Sequence, residues 1–191
     1  QTNLKEADVV SVYKETGKTC IQVFFFRSKQ NWGNQAFYPK HDADDKIEDI
    51  LSSFLSQFYE NKTIPALILT NARVNETKLL EKTFSSKENK QIVIKLAKAK
   101  NEISISKLAE KNAKQALKQK LIQSDTNNNL VEALALKFKL NNNIDIIEVY
   151  DNSHIQGTDS IGALICFGNE GFIKKRYRKF NIKDEKVKND D

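Results

Sequence analysis

The chain begins with a strand-like hydrophobic pattern and then changes to a helical one. Apolar and β-branched residues alternate or run together over 9–13, 19–27 and 35–38, with turn-forming residues between them, which predicts three strands. Between 42 and 59 the apolar positions instead recur three and four residues apart, at Ile47, Ile50, Leu51, Phe54, Leu55 and Phe58. That spacing predicts an amphipathic helix.

Apolar runs and helical patterns then alternate as far as residue 122. The run PALILT at 65–70 is typical of a buried parallel strand. We predict a short helix over 76–84, a strand over 91–96 and a lysine-rich helix over 106–122. The order β-β-β-α-β-α-β-α is that of the ribonuclease H-like fold. We therefore predict an α/β protein with a mixed sheet of that type and helices around it.

A second, shorter unit is predicted to follow. The polar run DTNNN at 125–129 interrupts the helical pattern, so we place the end of the first domain at residue 125 and a linker with a short helix over 126–143. Three strands follow over 144–150, 160–167 and 172–180, with GNEG as a hairpin turn. The second domain, 144–191, thus opens like the first. VSVY at 10–13 resembles IEVY at 147–150, which sets Lys14 opposite Asp151 and leaves both duplication and chance open.

Composition narrows the class of protein. With 191 residues and a net charge of +6, the chain has room for one domain or two small ones and is compatible with a nucleic-acid partner. It contains no methionine, which predicts an excerpt of a longer protein. No apolar run is long enough to span a membrane. Cys20 and Cys166 lie in apolar, strand-like settings, so we expect inert core thiols in a cytoplasmic protein.

The most informative stretch for chemistry is IIEVYDNSHIQG at 146–157. It sets Asp151 at the end of a predicted buried strand, where an unpaired carboxylate is costly. A carboxylate fixed on a strand can bind Mg²⁺ or Mn²⁺ for hydrolysis of a phosphate ester. From the residues alone the alternative is open: Asp151 instead caps the following turn through its side chain.

The segment from 147 to 182 resembles the opening of the endonuclease domain of the UvrC family. That family shows the run E-(C/V)-(F/Y)-D-x-S-H-x-x-G, then an apolar strand, a hairpin and Y-R-x-F-x-I. The matching residues are Glu148, Tyr150, Asp151, Ser153, His154, Gly157, Tyr177, Arg178, Phe180 and Ile182. Upstream, VFFFR at 23–27 and LAEKNAKQAL at 108–117 are similar to further family segments. One departure is LAKAKNE at 96–102, where the family usually has a Pro-Arg-Gly-like motif.

The resemblance implies a subunit that acts with UvrB on damaged double-stranded DNA and incises on both sides of the lesion. The ribonuclease H-like half makes the 5′ cut with two aspartates, a histidine and a divalent metal, and a separate nuclease makes the 3′ cut. Asp151 matches the first aspartate, which makes it the metal ligand, and Asp190 is a second catalytic candidate. The other ligands would lie beyond residue 191, so we expect the isolated chain to be inactive. The first domain, with Lys14 at the aspartate's place, is expected to be non-catalytic.

Several residues are assigned supporting roles on the same basis. Ser153 and His154 are expected to orient the Asp151 carboxylate. Basic residues alternate along the predicted third strand, and we expect Lys175, Arg178 and Lys179 to contact DNA phosphates, with a solvated outer face as the alternative. The lysines at 107, 111, 114 and 118 recur at helical spacing, and the same two interpretations, contact with DNA phosphates or a solvated face, apply to them.

Two rival functions stay open. One is a non-catalytic DNA- or partner-binding module from a split or truncated gene. The other is a different ribonuclease H-like nuclease or transposase, whose remaining carboxylates lie downstream.

Overall fold

The computed structural model describes residues 5–140, 144–155 and 158–182, which form two compact units, 1–119 and 120–191. In the first unit three strands are followed by alternating helices and strands, as predicted. These elements are β1 Glu6–Glu15, β2 Lys18–Arg27, β3 Gln30–Phe37, α1 Ile47–Phe58, β4 Leu67–Thr70, α2 Thr77–Glu88, β5 Val93–Leu96 and α3 Lys100–Lys137.

The sheet of the first unit is mixed and has the order β3-β2-β1-β4-β5. β1, β2 and β3 pair antiparallel, whereas β4 and β5 add in parallel beside β1. The prediction of a turn at 31–34 is wrong, because those residues belong to β3. The reversal occurs at Ser28 and Lys29, whose φ angles of 49° and 65° bring the chain round two residues after a register shift in β2.

Strand β1 is covered on both faces. Val10 and Val12 face the layer formed by α1 and α2, and they are 0% and 3% exposed. Ala7 and Val9 face the opposite way, toward Ala109 of α3, and are fully buried. The helices therefore lie on both sides of the sheet, and β1 is the centre of the core.

A buried polar cluster joins β1, β2 and the end of α1. Asp8 is 1% exposed, and its two carboxylate oxygens are each 2.7 Å from a donor, Arg27 Nη1 and the Tyr59 hydroxyl. Because a buried carboxylate without partners is costly, both contacts are needed to hold Asp8 inside the core. Burial, and next the Asp8 charge, raise the pKa of Tyr59 well above its ordinary value.

Helix α3 is longer than predicted at both ends. It runs without interruption through 125–129, so the predicted break there is wrong. Asn127 and Val131 are buried, which gives this polar stretch an inward face, and the Thr126 hydroxyl donates to the Ile122 carbonyl. At the other end Glu102 accepts the backbone amides of Lys98 and Ala99 and so caps the helix within the segment that departs from the UvrC family pattern.

The second unit contains a small antiparallel sheet with β7 at its centre. β6 Ile146–Ile155 pairs with one side of β7 Thr158–Gly168, and β8 Gly171–Phe172 and β9 Arg178–Asn181 pair with the other. The prediction of one strand over 172–180 is wrong, since a 3-10 turn at Lys174–Arg176 separates β8 from β9. The turn forms where the Arg176 side chain reaches across the sheet to Glu148.

The two cysteines are buried and unpaired, as predicted. Burial raises the pKa of the Cys20 thiol to about 11, which keeps it protonated and unreactive near neutral pH. No helix in the described part of the chain is long and apolar enough to cross a membrane.

The Asp8 cluster gives a test of the first unit. Tyr59→Phe removes one donor to a buried carboxylate, and we expect it to lower the free energy of unfolding by about 1–3 kcal/mol. Urea unfolding followed by far-ultraviolet circular dichroism measures this change. Tyr13→Phe is the matched control, because the Tyr13 hydroxyl makes no hydrogen bond within the described residues, and it should change stability by less than about 0.5 kcal/mol. Equal losses in the two variants would contradict the role given to the cluster.

Candidate metal and DNA site

Asp151 lies in the middle of strand β6, and its side chain is at the protein surface. Asp151 is followed in β6 by residues as far as Ile155, so it lies neither at a strand end nor in a turn. Its neighbours Val149 and Tyr150 are 52% and 67% exposed, and Asp151 itself is exposed. The expectation of a buried strand end is wrong, because β6 is an edge strand that has only β7 beside it within the described residues. Its carboxylate is open to ions and to a ligand.

The register places a cation on the same face as Asp151. Asp151 pairs with Ala163 of β7, and Ala163 pairs in turn with Lys179 of β9. Directly opposed residues share a face, and two strand spacings separate the Asp151 and Lys179 backbones by roughly 10 Å. Only the small Ala163 side chain lies between them. In the described part of the chain neither side chain forms an ion pair, so both are available to a ligand on this face.

The other predicted basic residues do not join them. Lys175 lies in the 3-10 turn rather than in a strand, so the predicted alternation fails there. Arg178 directly precedes Lys179 in β9 and therefore points to the opposite face. Its guanidinium donates to the carbonyls of Lys175 and Tyr177, at 3.1 and 2.9 Å, and so stabilises the end of that turn.

The opposite face of the sheet contains a polar group to which sequence reasoning gave no role. Glu148 accepts a hydrogen bond from Arg176 Nη2 at 3.0 Å, and the Tyr150 hydroxyl lies 3.4 Å from the other carboxylate oxygen. The buried Cys166 sulfur is 3.8 Å from Glu148. The nearby Glu148 charge raises the pKa of Tyr150. Two signals in the sequence pointed to this group: Glu148 and Tyr150 both belong to the run that resembles the UvrC family, and they stand two residues apart in a strand.

The remaining predicted site residues are only partly described. Ser153 follows Asp151 by two residues and lies on the same face, opposite Ile161. His154 belongs to β6 at a register shift, but its side chain lies outside the described part of the chain. Asp190 and Gly157 also lie outside it. The orienting roles of Ser153 and His154, and the catalytic role of Asp190, stay predictions.

Comparison with known proteins decides the family. A model described as "UvrC Ribonuclease H-like domain" matches residues 6–120, and one described as "UvrC RNAse H endonuclease domain" matches residues 135–191. The chain belongs to the UvrC family. The predicted resemblance and the ribonuclease H-like fold class are thereby confirmed.

Individual relatives agree with this assignment. The UvrABC system protein C of Maricaulis maris is 41% identical over 98% of this chain, and that of Bartonella henselae is 44% identical over 96%. A third such protein, from Caulobacter vibrioides, is 41% identical over 96% of the chain. The matches cover 30%, 28% and 30% of these relatives. The chain therefore spans less than a third of the length of the UvrC proteins that it matches.

Asp151 does not belong to a ready-made metal-binding cluster within the described residues. Among them there is no group of three or more His, Cys, Asp or Glu side chains that could hold a metal ion. Glu148 is three residues from Asp151 in one strand, so the two carboxylates point to opposite faces and do not share an ion. The Asp151 oxygens are suitable ligands for Mg²⁺ or Mn²⁺, but a complete site needs further donors.

The alignment of Lys14 with Asp151 stays a prediction. Lys14 is the ninth residue of β1, and its ammonium donates to the Asp45 carbonyl at 2.5 Å. Asp151 is the sixth residue of β6. In β1, Ser11 is a buried hydroxyl that donates to the Ser106 carbonyl at 2.9 Å.

The Glu148 group can be tested by titration. Glu148→Gln removes the charge that opposes ionisation of the Tyr150 hydroxyl, so the pKa of Tyr150 should fall toward 10, whereas Arg176→Gln should raise it further. Tyrosinate absorbance measured against pH, with the Tyr150→Phe trace subtracted, isolates this residue. Asp145→Asn is the control and should leave the curve in place. A rise with Glu148→Gln would contradict the described contact.

Proposed function

We propose that this chain is part of the C subunit of the UvrABC nucleotide excision repair endonuclease, and that its second unit belongs to the half that makes the 5′ incision. The observation that carries this proposal is the accessible Asp151 carboxylate, in register with Lys179 on an edge strand of a UvrC endonuclease-type unit. The substrate is damaged double-stranded DNA, the partner is UvrB, and the compartment is the cytoplasm.

In this proposal Asp151 is one ligand of a catalytic divalent ion, Mg²⁺ or Mn²⁺. Such an ion would activate water for attack on a phosphodiester, in which the P–O bond to the leaving strand breaks. Asp190 is a second catalytic candidate, and the other ligands come from residues beyond this chain. Lys179 is placed to hold the phosphate next to Asp151, because it shares that face and has no ion-pair partner among the described residues.

The neighbouring basic residues are proposed to have different roles. Lys175 is exposed in the 3-10 turn and is proposed to contact a flanking phosphate. Arg178 is on the other face and its guanidinium is occupied by two carbonyls, so its DNA contact stays a prediction with less structural support than that of Lys179. Electrostatic contacts of this kind position the substrate without reading its sequence.

The first unit is proposed to be non-catalytic. Its buried strand aspartate, Asp8, is bound by Arg27 and Tyr59 and is only 1% exposed, and Lys14 stands where the sequence match to Asp151 falls. This unit would therefore serve as a scaffold or as a surface for DNA.

A second candidate function is a non-catalytic DNA- or partner-binding module. It is favoured by one observation, namely that no cluster of metal-ligating side chains accompanies Asp151 among the described residues. The two candidates differ in whether the chain, when extended, can cut DNA.

The central test is Asp151→Asn in the protein extended at both ends to its native termini, so that it also carries the separate nuclease that makes the 3′ incision. We expect the 5′ incision of a UvrB-loaded, lesion-bearing duplex to fall by at least about 100-fold, because loss of a ligand is more damaging than loss of an orienting partner. The 3′ incision of the same duplex should continue. Asp145→Asn makes the same chemical change six residues upstream and should retain both incisions. Normal 5′ cutting by Asp151→Asn would overturn the assignment.

The isolated chain gives a separate prediction. With Mg²⁺ or Mn²⁺, the 191-residue chain should show no 5′ incision on the substrate that the extended protein cuts. Product appearance on a denaturing gel measures this. Cutting by the isolated chain that disappears with Asp151→Asn would mean that all the required ligands lie within it. Failure of both proteins to cut would favour the binding module.

A further inference from the structure

Five lysines form a single row along the first half of α3. The lysine row consists of Lys100, Lys107, Lys111, Lys114 and Lys118, and each is exposed. At 3.6 residues per turn these positions fall within an arc of about 60°, and the row is about 27 Å long. All five belong to the first unit.

The row is not neutralised by the helix that carries it. The acidic residues between 100 and 118 are Glu102 and Glu110. Glu102 is buried toward the sheet and bonded to Lys95 at 2.8 Å, and Glu110 is half-buried outside the arc. None of the ion pairs among the described residues involves the row. The Lys114 ammonium lies over the Tyr13 ring, 5.3 Å from its centre, which keeps the charge.

The opposite side of α3 fixes the row in place. Ala109, Ala113 and Leu117 are 0–2% exposed, and Ser106 is bonded to Ser11 of β1. A surface built on a docked helix loses little backbone freedom when it binds a ligand.

We propose that the lysine row binds the phosphate backbone of duplex DNA. The proposal rests on the proposed function, since it gives the first unit a share of the same substrate. Duplex DNA carries one negative charge per 1.7 Å of its axis, so a straight row of unpaired cations can neutralise several phosphates at once. Lysines act as point charges, so the contact is independent of base sequence. Single strands are a poorer match, because the one ring that lies beneath a lysine of the row among the described residues is the half-buried Tyr13, and stacking needs open rings.

The test compares two variants of the 191-residue chain with equal charge. In the row variant Lys100, Lys107, Lys111 and Lys118 become Gln, and Lys114 is kept because it packs on Tyr13. In the control variant four exposed lysines on the α1–α2 side of the sheet become Gln, namely Lys46, Lys78, Lys82 and Lys90. Circular dichroism establishes that both are folded. Fluorescence anisotropy on an undamaged 30-bp duplex, repeated from 50 to 200 mM salt, gives affinity and its salt slope.

We expect the row variant to lose at least tenfold in affinity at 50 mM salt and to lower the slope of log K against log salt by about 2–4, since each lost phosphate contact removes about 0.9. The control should change the slope by less than about 1. Equal effects of the two variants would overturn the proposal, because DNA affinity would then depend only on the net charge of the chain. It is also overturned by no duplex binding in the unmodified chain, or by tighter binding of a single strand of equal length. None of these results bears on incision through Asp151, so the two proposals fail separately.

Discussion

The desolvation of β1 is the constraint around which the first unit is arranged. Helices cover this strand on both faces, so the polar side chains that are buried on it need partners inside the protein. Asp8 has Arg27 and Tyr59, and Ser11 has Ser106. The same covering leaves Asp8 only 1% exposed, which supports the proposal that the first unit is non-catalytic.

The second unit has the opposite arrangement. Its β6 strand is exposed. Asp151 and Lys179 are both open to solvent and do not contact each other. The first unit thus has a buried central strand, whereas the second unit has an accessible edge strand. The lysine row of α3 adds positive charge to the first unit without needing any opening in its core.

Much of the fold could be predicted because burial produces periodicity. The helical spacing from Ile47 to Phe58 and the apolar run before Thr70 both reflect single, well-covered faces. The continuity of α3 could not be predicted, since residues 125–129 are locally poor for a helix and are retained by the inward packing of Asn127. For the site, residue type and family resemblance identified Asp151, but its exposure depends on which strands lie beside β6, a property that local sequence does not contain.

The edge position of β6 has a consequence for the chain's behaviour in solution. On the side away from β7, its backbone amides and carbonyls have no strand partner in the described structure, whereas β1 has β4 there. An unpaired row of this kind is a template for another extended segment. The residue proposed to hold a catalytic ion therefore lies on a strand with a free edge, and pairing of that edge between molecules at high concentration would cover the surroundings of Asp151.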